Sequence, residues 1–294
     1  PEATEAFRRT MQDEQRRQEA AVREASYYRN PLAAADAMGR PTTLIPSRTA
    51  PGDVVLVRSA DPGEIEWDGR IFELQPFGAG YYTYLPIRMG TKPGIYLIRG
   101  ETLVVEDKSF ETQYLVVTEE QESMRRNTER IQADQRKIDK ARSESHPAFL
   151  FPADSPFMKP VEGRLTTPYG YTRYVNGSHA GSHTAIDLAA PQGTPVYATN
   201  DGIVALADEL YLTGLSIYID HGMHLFSQYA HMSELKVKAG DRVKKGDIIG
   251  LVGSTGFSTG PHLHFTFWAH NTPVNPNLFF DRTPFDWHEF ASGD

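Results

Sequence analysis

The run His262-Leu263-His264-Phe265-Thr266-Phe267, inside the stretch GLVGSTGFSTGPHLHFTFW (residues 250–268), restricts this chain more than any other feature. Apolar residues recur there at every second position, the period of a half-buried strand. Leu263, Phe265 and Phe267 then face a core, and both imidazoles emerge on the opposite side. Two nitrogen donors on one face suit a metal, although His pairs also occur on solvated strands. Partners stand upstream. His183-Thr184-Ala185-Ile186-Asp187 supplies an imidazole and a carboxylate four apart, a spacing that shares a face in a strand and in a helix. His231 lies in Gln228-Tyr229-Ala230-His231-Met232. The chain has no cysteine, so any metal must be held by imidazoles and carboxylates. Nitrogen, nitrogen and oxygen donors with imidazoles to spare make the composition of a catalytic zinc site with one position open to water.

The stretches HTAIDLAAPQGTPVYA, IDHG and SQYAHMSELKVKAGDRVKKGDIIGLVGSTGFSTGPHLHF are similar to the lysostaphin and LytM type of zinc endopeptidase, enzymes that cut peptide cross-bridges of bacterial peptidoglycan. The resemblance covers about residues 150–280, and its His-x-x-x-Asp, lone His and His-x-His stand in the family's order. One departure is Ala185, where the family usually has Gly; its methyl group is expected to crowd the ligand loop slightly. The resemblance implies one Zn²⁺ per chain, held by His183, Asp187 and His264 with a water as fourth ligand. It implies proton-transfer roles for His231 and His262, and a metalloendopeptidase acting on peptidoglycan outside the cytoplasm, in the periplasm or cell envelope. Degenerate members of this group, usually lacking ligands, activate cell-wall amidases through the groove alone, so a non-catalytic binding module is the alternative. Tyr229, two residues before His231, is expected to share its strand face and help orient it. Arg173, Tyr174 and Asn176 are candidates for the cleft wall.

The expected fold is mainly β. Residues 1–50 read as a charged, solvated helix and a proline-marked linker. Residues 51–117 alternate apolar and polar residues between Pro-Gly turns, which predicts a small antiparallel β-sandwich. It has no histidine, so it is expected to be dispensable for chemistry. Residues 118–146 predict a charged connector helix, capped by Thr118 and docked along the stripe Met124, Ile131, Ile138. Residues 147–294 form the expected β-rich LytM-like zinc peptidase domain with a groove and a C-terminal tail. In it, His179 reads as a rim residue, His221 and His224 as exposed turn residues, and His270 and His288 lack metal-like partners. The net charge of −8 argues against a nucleic-acid binder. No apolar run is long enough for a spanning helix. The chain begins at Pro1, which leaves room for a signal peptide or membrane anchor upstream.

Overall fold

The computed structural model describes residues 41–77, 80–152 and 155–281. The expected N-terminal helix and His288 lie outside them. The fold is mostly β. Its first part holds β1 (Thr42–Ile45), β2 (Arg48–Thr49), β3 (Val54–Ser59), β4 (Glu64–Trp67), β5 (Arg70–Glu73), β6 (Gln75–Phe77), β7 (Gly80–Pro86), β8 (Gly94–Ile98) and β9 (Glu101–Val105). These form an antiparallel sheet β1-β3-β7-β6, a sheet β2-β9-β8 and the hairpin β4-β5. Val55, Val57 and Leu85 face a core shared with Trp67 and Leu103. Leu56, Tyr82 and Tyr84 point the other way, into the core that contains Phe149, Phe157 and Phe265. The β3–β7 pair is therefore apolar on both sides, which binds this region to the second part of the chain.

The next strand, β10 (Thr112–Leu115), leaves those sheets. The connector is two helices, α1 (Glu119–Arg126) and α2 (Thr128–Ser143), where the sequence predicts one. Asn127, with ψ of 76°, leaves helical geometry, and its side-chain oxygen accepts the Arg130 N–H to start α2. A capping box of Thr118 and Gln121 starts α1. The α2 helix docks through Lys137 Nζ on Asp208 (2.8 Å), through Asp134, which accepts the Tyr211 N–H, and through Arg142, 3.6 Å above the Trp268 ring.

Beyond it lie β11 (Arg164–Thr167), β12 (Thr172–Val175), β13 (Ser178–Ser182), β14 (Ile186–Ala189), β15 (Pro195–Tyr197), β16 (Gly202–Leu210) and β17 (Gly214–Asp220). They are followed by β18 (Leu225–Met232), β19 (Glu234–Leu235), β20 (Arg242–Val243), β21 (Ile248–Leu251), β22 (His262–Ala269) and β23 (Thr272–Val274). The main sheet runs β11-β14-β22-β18-β17-β16-β20, with β23 also on β22. A small sheet β10-β12-β13 stands beside it, and there β10 pairs in parallel with β12. His221 departs from the sequence reading. It is wholly buried, with Nδ1–H donating to Asp201 O (2.7 Å) and Nε2 2.8 Å from Ser227 Oγ. Burial pushes its pKa down to about 4.

Candidate metal centre

Antiparallel register brings the candidate ligands together. Asp187 on β14 stands directly across from His264 on β22, and Ala189 stands across from His262. Opposed side chains on one face of a sheet are neighbours, so Asp187 and His264 meet. His183 arrives from the loop between β13 and β14. Asp187 Oδ1 is 3.0 Å from His264 Nδ1 and 3.2 Å from His183 Nε2, and the two nitrogens are 3.4 Å apart. Ligand atoms at tetrahedral zinc bond lengths lie about 3.3 Å from one another, so this triangle fits one such ion. His183 Nδ1 lies 3.3 Å from Pro168 O, an acceptor, which puts its proton there and leaves Nε2 a lone pair for a metal. Ala185 is buried within the ligand loop, and the triangle closes despite its methyl group. Burial pushes His183 down from its ordinary pKa. Burial alone would raise Asp187, but the His183 and His264 imidazoles packed against it hold it far below the usual carboxylate range.

The second carboxylate oxygen is also occupied. Arg173 Nη2 donates to Asp187 Oδ2 at 3.0 Å, and Arg173 Nε donates to Gln113 Oε1 at 2.8 Å. Arg173 thus lines the groove as a partner of the carboxylate. Tyr174 and Asn176 do not line it. Strand alternation turns Tyr174 to the outer face, stacked on Tyr114 (5.3 Å) and edge-on to the exposed His179. Asn176, at φ 48°, spends its amide on the backbone N–H and C=O of Val117.

His231 reaches the site through a break in strand regularity. Tyr229 pairs with Phe265 and Ala230 with His264, so Tyr229 faces the core and Ala230 the groove. Unbroken alternation would send His231 to the core with Tyr229. Between the pairs Ile217–Tyr229 and Leu215–Met232, however, β18 advances three residues while β17 advances two. This bulge, with His231 at φ 61°, turns the imidazole back toward the groove. Its ring centroid is 4.8 Å from that of His262 and 5.7 Å from that of His264. The same bulge corrects the expectation for Tyr229. That residue is fully buried on the other face, its hydroxyl accepting the Thr199 N–H and lying 3.0 Å from Ser227 Oγ, so it does not orient His231.

Two loops do orient it. Thr213 O accepts the His231 backbone N–H (2.8 Å), and Thr255 O accepts Nδ1–H (2.7 Å). The loops cross so closely that a Cβ on Gly214 (φ 61°) would lie 2.2 Å from Thr255 Oγ1. Nε2 of His231 is left as an acceptor, and burial followed by the charges of His264 and His262 pushes its pKa down to about 3. His262 Nδ1 is 2.8 Å from Gly260 O, which leaves its Nε2, 3.8 Å from Asp187 Oδ1, on the groove side.

The groove encloses about 340 Å³. Gln113, Leu115, Thr167, Phe257 and Pro261 join Asp187, His231, His262 and His264 in its walls. Gln113 and Leu115 come from the stretch that reads as an accessory sheet without chemistry. Nothing in their local spacing distinguishes a strand that pairs with its own sheet from one that crosses to another.

Residues 181–276 match the family model described as Peptidase family M23. This region is a peptidase M23 domain. The chain is 42% identical over 116 residues to the DD-carboxypeptidase/endopeptidase Mpg of Neisseria meningitidis, covering 40% of this chain and 27% of that protein. It is 41% identical over 133 residues to the glycyl-glycine endopeptidase ALE-1 of Staphylococcus capitis, covering 43% and 36%. The chain spans about a quarter to a third of the length of such curated relatives. A Pseudomonas aeruginosa crystal structure assigned to peptidase M23 matches with a TM-score of 0.60 at 26% identity, over 83% of this chain and 96% of that one. That likeness reaches beyond the M23 domain into the strands upstream of it.

Proposed function

We propose that this chain is a zinc-dependent endopeptidase that hydrolyses peptide bonds in the stem peptides or cross-bridges of bacterial peptidoglycan, acting outside the cytoplasm. The observation that carries the reading is the N, N, O triangle of His183, His264 and Asp187, with Asp187 and His264 in the wall of an open groove, His183 buried beside them, and the imidazoles of His231 and His262 in the same wall. His183, Asp187 and His264 would hold one zinc ion. When bound, zinc supplies Lewis acidity, which polarises a carbonyl and makes a water reactive near neutral pH.

The chain's own residues then manage protons and orientation. Thr255 O and Gly260 O fix the tautomers of His231 and His262, so each presents Nε2 to the groove. A neutral His231 can accept a proton from the attacking water at Nε2. His262 is placed to stabilise the developing oxyanion or to return a proton to the departing amine. Arg173, by occupying Oδ2, directs the other oxygen of Asp187 toward the two imidazoles. The relatives named for DD-endopeptidase and glycyl-glycine endopeptidase activities support the substrate class. Among the described residues no helix is long and apolar enough to cross a membrane.

The test is to incubate the purified chain with isolated sacculi and measure new free amines, with and without a chelator and with zinc restored. Chelator-sensitive amine release is expected. A zinc-loaded protein that binds sacculi and releases no amines would be a binding module instead.

A further inference from the structure

Gln113 lies outside the M23 domain by sequence, yet it sits two hydrogen bonds from the candidate metal ligands. Its strand β10 pairs in parallel with β12, in a register that sets Gln113 against Arg173. A guanidinium has only donors, so the amide oxygen of Gln113 must face it, and Arg173 Nε does donate there at 2.8 Å. The amide nitrogen is turned to Thr167 and donates to Oγ1 at 3.2 Å. Thr167 in turn stands opposite Asp187 in the β11–β14 register. The result is a chain of three hydrogen bonds, Thr167–Gln113–Arg173–Asp187, whose two ends are paired residues of β11 and β14. It ties the small sheet β10-β12-β13 to the edge of the main sheet, where no strand ladder among the described residues joins them.

Arg173 is long and rotamer-rich, and an unfixed guanidinium would sample solvent. Tied at Nε, it presents Nη2 to Asp187 Oδ2 in a single geometry. Asp187 is then left with Oδ1 alone for the imidazole side. Partners one step beyond the ligands commonly set metal affinity by holding the ligands in orientation.

We infer that Gln113 is a positioning residue for the metal centre, acting through Arg173 on Asp187, and that the segment preceding the helices is therefore part of the metal-binding unit. This rests on the zinc reading above. The alternative is that Gln113 only docks β10, in which case its loss lowers stability and leaves metal affinity alone.

The experiment measures the zinc dissociation constant of the full chain by competition with a chromogenic chelator, together with Tm, for wild type and variants. Gln113→Ala is expected to weaken zinc about 10-fold, the lower end for residues outside the ligand shell. If that variant does not fold, Gln113→Met, which keeps length and packing without the amide, takes its place. Gln113→Glu keeps an acceptor for Arg173 and should bind zinc at least as tightly as wild type. Combined with Arg173→Ala, Gln113→Ala should add nothing further. Unchanged affinity in Gln113→Ala, equal losses in the Ala and Glu variants, or additive effects with Arg173→Ala would each overturn the inference. A wild-type chain that binds no zinc would instead remove the function proposed above, and this role with it.

Discussion

Acid sensitivity at His221 offers a quantitative test of how the core behind the site is built. The imidazole is wholly buried, donates from Nδ1 to Asp201 O and meets Ser227 Oγ through Nε2. Protonating it would leave a buried charge facing a hydroxyl that already lies against Tyr229. Burial holds its pKa near 4, whereas the unfolded chain titrates near the ordinary value of 6.5. Below pH 6.5 the unfolded state therefore binds more protons at this position, and stability falls as pH falls until about pH 4, where both states are charged. Between pH 7.5 and pH 5 the ratio of the two binding terms changes by a factor of roughly 30, or about 2 kcal/mol. Other groups titrate in the same range, so the clean observable is a difference. His221→Gln should be less stable than wild type at pH 7.5, because it loses packing and hydrogen bonds. That gap should narrow by about 2 kcal/mol at pH 5, because the variant carries no titrating group there. Urea unfolding followed by tryptophan fluorescence at the two pH values measures it. A gap that stays constant would show that His221 is not held neutral in the folded protein, and the burial argument would fail.

Other predictions concern the site and the upstream strands. His264→Ala and His183→Ala should each lose zinc, read by elemental analysis after dialysis; full occupancy in both would refute the ligand assignment. His231→Ala and His262→Ala should keep zinc and lower kcat on a cross-bridge peptide by roughly 10²- to 10⁴-fold, with the double variant little worse than the poorer single one. Loss of zinc in either would make that residue a ligand. A chain beginning at residue 148 forfeits the burial of Leu56, Tyr82 and Tyr84 against Phe149 and its neighbours, worth roughly 1.5–3 kcal/mol per large side chain. It should aggregate or melt well below the full protein. A soluble product with an unchanged Tm would instead make the upstream sheet dispensable for folding.

The sequence by itself determined what is local. Period two in His262-Leu263-His264-Phe265 specified a strand with two imidazoles on one face, because side-chain direction along a strand depends only on the chain itself. The spacing of His183 and Asp187, the absence of cysteine, and the Thr118 cap were legible for the same reason. Tertiary structure alone decided which strands met. The runs Val54-Val55-Leu56-Val57 in β3 and Tyr81-Tyr82-Thr83-Tyr84-Leu85 in β7 hold apolar or aromatic residues at successive positions, but they do not say what covers the second face; Leu56, Tyr82 and Tyr84 are buried there by residues about 65 to 210 positions later. The sequence of β10 gives a strand, but not that it would cross to β12 and bring Gln113 to Arg173. The bulge that turns His231 toward the groove and Tyr229 into the core arises from a mismatch in residue count between β17 and β18. Such a mismatch belongs to a pair of strands, so neither strand's own pattern carries it, and the side chain it redirects is the one placed beside His262 and His264.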